Sequence, residues 1–218
     1  MDITDILDSE LKFDKSSVAI FGPGADLDDA SVFYYLNRNN SGKTYILDKE
    51  DSIYPAKGFG NLTRFKGLLE SFIKETNIPL SRDITHLYSE SRSIDKTLPE
   101  KVDIISYRGV FHYMGTDDLA RTVISSFKTL KPSGKIVIMT RKNHQYYPFI
   151  KGMLQNHNLK IYDISNKEFY RVSSDESPQI PVFTSFDFGE TPIYSLSGNT
   201  VAFEPRFLTD RLLIAENN

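Results

Sequence analysis

The sequence predicts an α/β fold: a doubly wound, mostly parallel, seven-stranded sheet with helices on both faces. Three observations carry that expectation. Short apolar runs alternate five times with stretches of helical period. The first run ends in Gly22-Pro23-Gly24, where a strand would hand over to a helix. The 218 residues are 39% hydrophobic and 25% charged, enough apolar content for one packed core and too much for wholesale disorder. The whole chain, 1–218, reads as a single domain.

Each element follows in order. Ile3, Ile6, Leu7, Leu11 and Phe13 have helical spacing with an acidic outer face, so residues 1–14 form a leading helix. Residues 17–21 are a buried strand. Asp26, Asp28 and Asp29 suit the start of a helix over 30–37. Residues 44–47 are the second strand, with Asp48 after its last apolar residue. Leu62, Phe65, Leu68, Leu69, Phe72 and Ile73 fall on one helical face, and Asn77 and Pro79 end that helix. Residues 84–88 and 102–106 are strands three and four. Asp117 caps a helix reaching Leu130, with Leu119, Val123, Ile124 and Phe127 inward. Residues 131–134 turn the chain into a fifth strand over 135–140. A helix over 147–156 and a sixth strand over 159–164 follow, and residues 211–215 close the sheet.

Between them, residues 165–207 break the pattern. This stretch has no helical period and is dense in Phe and Tyr, with strands expected at 168–172, 180–186 and 200–203. A structureless loop of that length is rare, so the segment reads as an insertion. A lid, a substrate platform or a dimer arm would each fit, and a homodimer contact through it stays open.

Composition excludes several chemistries. There is no cysteine, hence no disulfide, thiolate nucleophile or Cys-ligated metal. The four histidines include no i, i+4 pair, so no metal is predicted. A net charge of −3 argues against a nucleic-acid partner, and Arg141-Lys142 is too short a basic run to reverse that. No run approaches a membrane span, and the acidic first ten residues are unlike a targeting signal, so a cytoplasmic location is the default expectation. Gly-x-Ser-x-Gly and Walker A patterns are absent.

Four segments carry the functional signal: residues 18–24 ending in Gly22-Pro23-Gly24, then Asp48, then residues 102–112 ending at His112, then Leu130-Lys131-Pro132-Ser133-Gly134 leading into a β run. In this order and spacing, over about residues 15–165, they resemble the class I S-adenosylmethionine-dependent methyltransferases. The resemblance implies a Rossmann-like methyltransferase sheet and S-adenosylmethionine as cofactor, with S-adenosylhomocysteine as product. Gly22, Pro23 and Gly24 would hold the methionine end. Asp48 would accept the ribose hydroxyls. Ser89, Glu90 and Ser91 would lie near adenine. Tyr107, Arg108 and His112 would face the methyl group: His112 as a base or packing behind the cofactor, Arg108 holding an acidic substrate or paired with an acid such as Asp26, Tyr107 as a wall. His144, Tyr146 and Tyr147, after strand five, would either face substrate or pack on the core.

The expected activity is methyl transfer to a small molecule. Ser106-Tyr107-Arg108-Gly109 stands where DNA amino-methyltransferases carry Asn/Asp-Pro-Pro-Tyr, which argues against that activity. The sequence departs from the family at Ile20, usually an acid, and at Asp26, usually glycine. Those departures motivate an alternative, a catalytically silent binding or scaffold protein. Transfer of an aminopropyl or aminocarboxypropyl group on the same fold is a second alternative.

Overall fold

The computed structural model describes residues 3–11, 15–22, 42–49, 84–108, 110–140, 143–163, 193–196, 199–202 and 211–217. Its strands are β1 (Val18–Phe21), β2 (Thr44–Asp48), β3 (Ile84–Tyr88), β4 (Val102–Arg108), β5 (Leu130–Thr140), β6 (Lys160–Asp163), β7 (Ile193–Leu196), β8 (Asn199–Ala202) and β9 (Arg211–Glu216). The described α-helices are α1 (Ile3–Glu10), α2 (Ile94–Thr97), α3 (Thr116–Thr129) and α4 (Tyr147–Leu154), with short 3-10 turns at Ser91–Ser93 and Val110–Tyr113. The helices expected over 30–37 and 62–73, and the strands over 168–172 and 180–186, lie outside the described residues.

Seven strands form one sheet in the order β3-β2-β1-β4-β5-β9-β6, and β7 and β8 pair as a separate antiparallel hairpin. The pairings of β1 with β2 and β4, of β2 with β3, and of β4 with β5 are parallel. Only β9 runs the other way, between β5 and the edge strand β6. The order turns back on itself between β1 and β4. In open α/β sheets that switch point opens a crevice at the carboxyl ends of the strands.

Near-continuous apolar strands reflect burial on both faces. On one face Ala19, Phe21, Tyr45, Leu47, Ile105, Tyr107, Ile136, Ile138 and Leu213 pack with Ile94, Leu98, Phe111, Leu119, Val123, Ile150 and Leu154. On the other, Val18, Ile20, Ile46, Ile104, Val137, Met139, Leu212 and Ile214 are also buried. The leading helix α1 buries Ile6 and Leu7, with Leu11 following, and residues 1–2 and 12–14 of the expected span lie outside the described residues.

Two expectations are corrected. The helix after β4 is capped by Gly115, with Asp117 and Asp118 inside its first turn, where they favour the dipole. Its inward face is also partly polar: Thr122, Ser125, Ser126 and Thr129 are buried, whereas Ile124 is exposed. Burying these hydroxyls is tolerable because each is hydrogen-bonded, Ser126 to the Thr122 carbonyl at 2.7 Å and Thr129 to the Ser125 carbonyl at 2.8 Å among them.

The second correction concerns β5, which begins at Leu130 and not Lys135. Val102 pairs with Leu130 and Ile104 with Lys135, so β5 spends residues 131–134 where β4 spends Asp103 alone. The expected turn is therefore absorbed as a bulge-like excursion within the strand. A Cβ on Gly134 would sit 2.9 Å from the Lys131 carbonyl oxygen and 3.1 Å from that of Asp103, so the excursion closes only around a glycine.

Candidate functional site

The register brings several of the singled-out residues to one edge. Phe21 pairs with Leu47 on one side and Tyr107 on the other, so Gly22 is level with Asp48 and Arg108, the last residues of β2 and β4. Asp48 in turn pairs with Tyr88, the last residue of β3, and Arg108 with Met139. Residues 89–91 and 110–114 continue from this edge.

Gly22 has φ +63°, a left-handed backbone that favours glycine, and its N–H donates to the Leu47 carbonyl at 2.8 Å. A Cβ there would lie 2.4 Å from Cγ2 of Val110. The absence of a side chain therefore lets the segment after β4 close against the turn after β1. Pro23, Gly24 and Asp26 lie outside the described residues.

Asp48 is 5% exposed. Its Oδ1 accepts the Lys49 N–H at 2.7 Å, and its carbonyl accepts the Ser89 N–H at 2.8 Å. The result is a buried, acceptor-only carboxylate at the strand end next to the switch point. Such an acceptor suits a ligand offering hydroxyl donors, such as a ribose diol.

The segment after β3 behaves differently at each residue. Glu90 is exposed, and its carboxylate accepts Arg92 Nε at 2.6 Å; the same guanidinium reaches Asp118 at 3.1 Å, tying the segment to the start of α3. Ser91 is buried, accepting from Thr122 at 3.0 Å and donating to Sδ of Met114 at 3.8 Å. Its hydroxyl is therefore spent inside the protein, knitting the segments after β3 and β4 to α3. Ser89 donates to Thr97 at 2.9 Å.

Tyr107 is 1% exposed, on the face covered by α3. Its ring packs on Phe21 and Phe111 with centroids 5.7 and 5.1 Å away, and its hydroxyl lies 2.7 Å from that of Ser126. Burial pushes the phenol well above its usual range. Strand alternation explains the placement: Tyr107 shares a face with Ile105, one step before the strand's end. In this arrangement the ring is part of the core. Arg108 ends β4, and His112 lies in the 3-10 turn Val110–Tyr113.

After β5, Tyr146 and Tyr147 pack against the core, as one of the two readings of that stretch expected. Tyr146 and Tyr147 donate backbone N–H groups to Nδ1 of His144 (3.3 Å) and to its carbonyl (2.9 Å). Two residues that the sequence reading passed over also stand at the carboxyl edge. They are Thr140, at the end of β5, and Arg211, its partner at the start of β9. The only sequence signal for Arg211 is a lone charge opening an apolar run. Among the described residues, no helix is long and apolar enough to cross a membrane.

No family model matches the chain, and no curated protein does. Solved structures do. Precorrin-6y C5,15-methyltransferase from Geobacter metallireducens superposes with TM-score 0.54 at 11% identity, over 98% of this chain and 88% of that one. Magnesium protoporphyrin IX methyltransferase from Synechocystis PCC 6803, with bound SAH, gives TM-score 0.56 at 10% identity, over 99% and 80%. A SAM-dependent O-methyltransferase from Thermotoga maritima gives 0.51 at 15% identity, over 99% and 63%. The chain has the class I methyltransferase fold.

Proposed function

We propose that the protein is an S-adenosylmethionine-dependent methyltransferase acting on a small molecule. The observation that carries this reading is the pairing of the left-handed Gly22 turn with the buried Asp48 carboxylate, level with each other beside the sheet's switch point. The bound cofactor would supply an electrophilic methyl group on a sulfonium. Asp48 would accept the ribose hydroxyls, the Gly22-Pro23-Gly24 turn would offer backbone N–H groups to the methionine carboxylate, and Ser89 and Glu90 would border the adenine. Arg108 and His112 would stand on the methyl side, anchoring the substrate and, where the nucleophile must lose a proton, accepting it. Residues 165–207 would shape the substrate site within a single cytoplasmic domain. Two of the similar structures bear the names of methyltransferases of small ring compounds, a precorrin and a porphyrin, which supports a substrate of that size class.

One observation favours a second reading. Ile20 is buried in β1 between Ile46 and Ser106, where the family usually carries an acid. A silent, methyltransferase-like binding protein would tolerate that loss.

Calorimetric titration with S-adenosylmethionine and S-adenosylhomocysteine tests the proposal. Wild type should bind both in roughly the micromolar range, and Asp48→Ala should abolish binding. Folded wild-type protein that binds neither ligand would overturn the proposal and leave the silent reading. For the chemistry itself, Arg108→Ala and His112→Ala should lower turnover while sparing cofactor affinity. A product heavier by more than a methyl group would indicate aminopropyl or aminocarboxypropyl transfer instead.

A further inference from the structure

The reversed strand β9 puts its first residue, Arg211, at the same edge as the last residues of its neighbours: Thr140 of β5 and Asp163 of β6 are both its register partners. An arginine has thus been delivered to the carboxyl edge two strands from β4, a spacing of roughly 10 Å at about 4.8 Å per strand. Its side chain is 13% exposed. It is held from one side by Tyr147, the first residue of α4: Nη1 donates to the phenolic oxygen at 2.9 Å, and the guanidinium carbon lies 5.2 Å from the ring centroid.

Two buried polar atoms in this row make no hydrogen bond among the described residues, Nε of Arg211 and Oγ1 of Thr140. Thr140 is 1% exposed. Antiparallel partners point to the same face, so both atoms belong to one spot. A strut joining β9 to α4 needs the Tyr147 contact. It does not need a buried guanidinium N–H and a buried hydroxyl left without partners, each of which costs stability. The remaining contact is also telling. Nη2 is paired with the carboxylate of Asp163, whose side chain is 71% exposed. A carboxylate already sits on this guanidinium, and because Asp163 is exposed it is the partner that can swing away into water.

We propose that Arg211 and Thr140 form a carboxylate-binding subsite for the substrate, with Tyr147 fixing the guanidinium and Asp163 occupying the place of the substrate's carboxylate until it arrives. The inference rests on the methyltransferase reading and narrows its substrate to an acidic small molecule. The Nε–Nη2 edge of a guanidinium matches the two oxygens of a carboxylate, and the Thr140 hydroxyl can donate to one of them.

The probe is sodium benzoate, with neutral benzamide and inorganic phosphate as comparators, followed in the full chain through the ¹⁵N–¹H resonance of Arg211 Nε, assigned by its loss in Arg211→Lys. Benzoate should move that resonance saturably and benzamide should not. Asp163→Asn should tighten benzoate about two- to fivefold, because it removes the competing carboxylate. Thr140→Val should weaken benzoate while leaving the protein equally or more stable, a pairing of effects that a structural role would not produce. A resonance unmoved by benzoate in both wild type and Asp163→Asn would overturn the proposal, and so would tighter binding of phosphate than of benzoate. Titrating S-adenosylhomocysteine into the same samples separates the two ideas. Binding of that ligand with an unresponsive Arg211 removes the subsite alone, whereas a benzoate response without it removes the methyltransferase reading.

Discussion

The two edges of the sheet are built on opposite principles. At the amino edge, most charges and polar groups are matched to one another, the buried Nδ1 of His157 being an exception among the described residues. Asp103 accepts the Ser17 N–H at 2.7 Å and the Lys131 ammonium at 2.8 Å. Glu100 takes the Tyr45 hydroxyl at 2.7 Å and Lys43 at 3.1 Å. Glu10 gathers Lys160 at 2.8 Å and the Tyr162 hydroxyl, while its carbonyl accepts from Lys135 at 2.6 Å. The side-chain amide of Asn217 donates to the carbonyls of Leu130 and Lys131. At the carboxyl edge stand a buried carboxylate at Asp48, a left-handed glycine, and the bare polar atoms of Thr140 and Arg211. The amino edge holds strand ends together; at the carboxyl edge Thr140 and Arg211 each keep a buried polar atom with hydrogen-bonding capacity to spare. Open α/β sheets place ligands at the carboxyl ends of their strands, and here the polar chemistry divides along the same line.

Paired substitutions should separate the edges, and the largest effect is expected from two glycines. Gly22→Ala combines a left-handed backbone, costing about 1–2 kcal/mol, with overpacking against Val110 of about 1–3 kcal/mol. It should lower unfolding free energy in urea by about 3 kcal/mol and also abolish S-adenosylhomocysteine binding. Gly134→Ala meets only crowding, against two backbone carbonyls and the Leu130 side chain, and should cost about 1–3 kcal/mol with cofactor affinity unchanged. Equal loss of binding in the two variants would erase the distinction.

Asp103→Ala should come next. Removing a half-buried carboxylate that accepts from a backbone N–H should cost about 1–3 kcal/mol in urea denaturation. Binding should again be unaffected.

The smallest effect is a matter of pH. Burial alone would raise the Glu10 carboxyl, but the Lys160 and Tyr162 hydrogen bonds and the charges of Lys160 and Lys135 together hold it below the usual glutamate range. Burial, then Glu10 itself, pushes the Tyr162 phenol up to about 12. A carboxyl lowered in the folded state stabilises fully above the ordinary glutamate value of about 4.3 and loses that contribution as pH falls through its lower folded value. Wild-type Tm should therefore decline more steeply than that of Glu10→Gln as pH drops below about 4.3. Parallel curves would show that Glu10 contributes nothing to the amino edge.

The architecture was largely legible in the sequence, because a parallel sheet buried on both faces writes itself as apolar runs between helical periods. Strand three matched at both ends, and strands one, two, four, six and the last to within one or two residues. What the runs did not reveal was chemistry satisfied across elements. The inward face of α3 looked apolar through Ile124, yet Thr122, Ser125 and Ser126 take that face, because Ser91, Asp95 and Tyr107 meet their hydroxyls. The start of β5 was misplaced because residues 131–134 have a turn's composition, and only Asp103 and Asn217 show how a turn fits within a strand. At the site, Gly22 and Asp48 stand out through the family resemblance, and the register sets them level at one edge. The resemblance implies Tyr107 as a wall beside the methyl group, and strand alternation packs its ring in the core. Arg211 was invisible because its significance depends on β9 running backwards, which periodicity does not encode.

Hydrogen–deuterium exchange with and without saturating S-adenosylhomocysteine tests the division of the two edges most directly. The account predicts added protection at residues 46–49, 89–93 and 110–114, and none at 15–18, 100–103 or 131–134. Protection concentrated at the amino-edge segments, or spread equally over both sets, would contradict it.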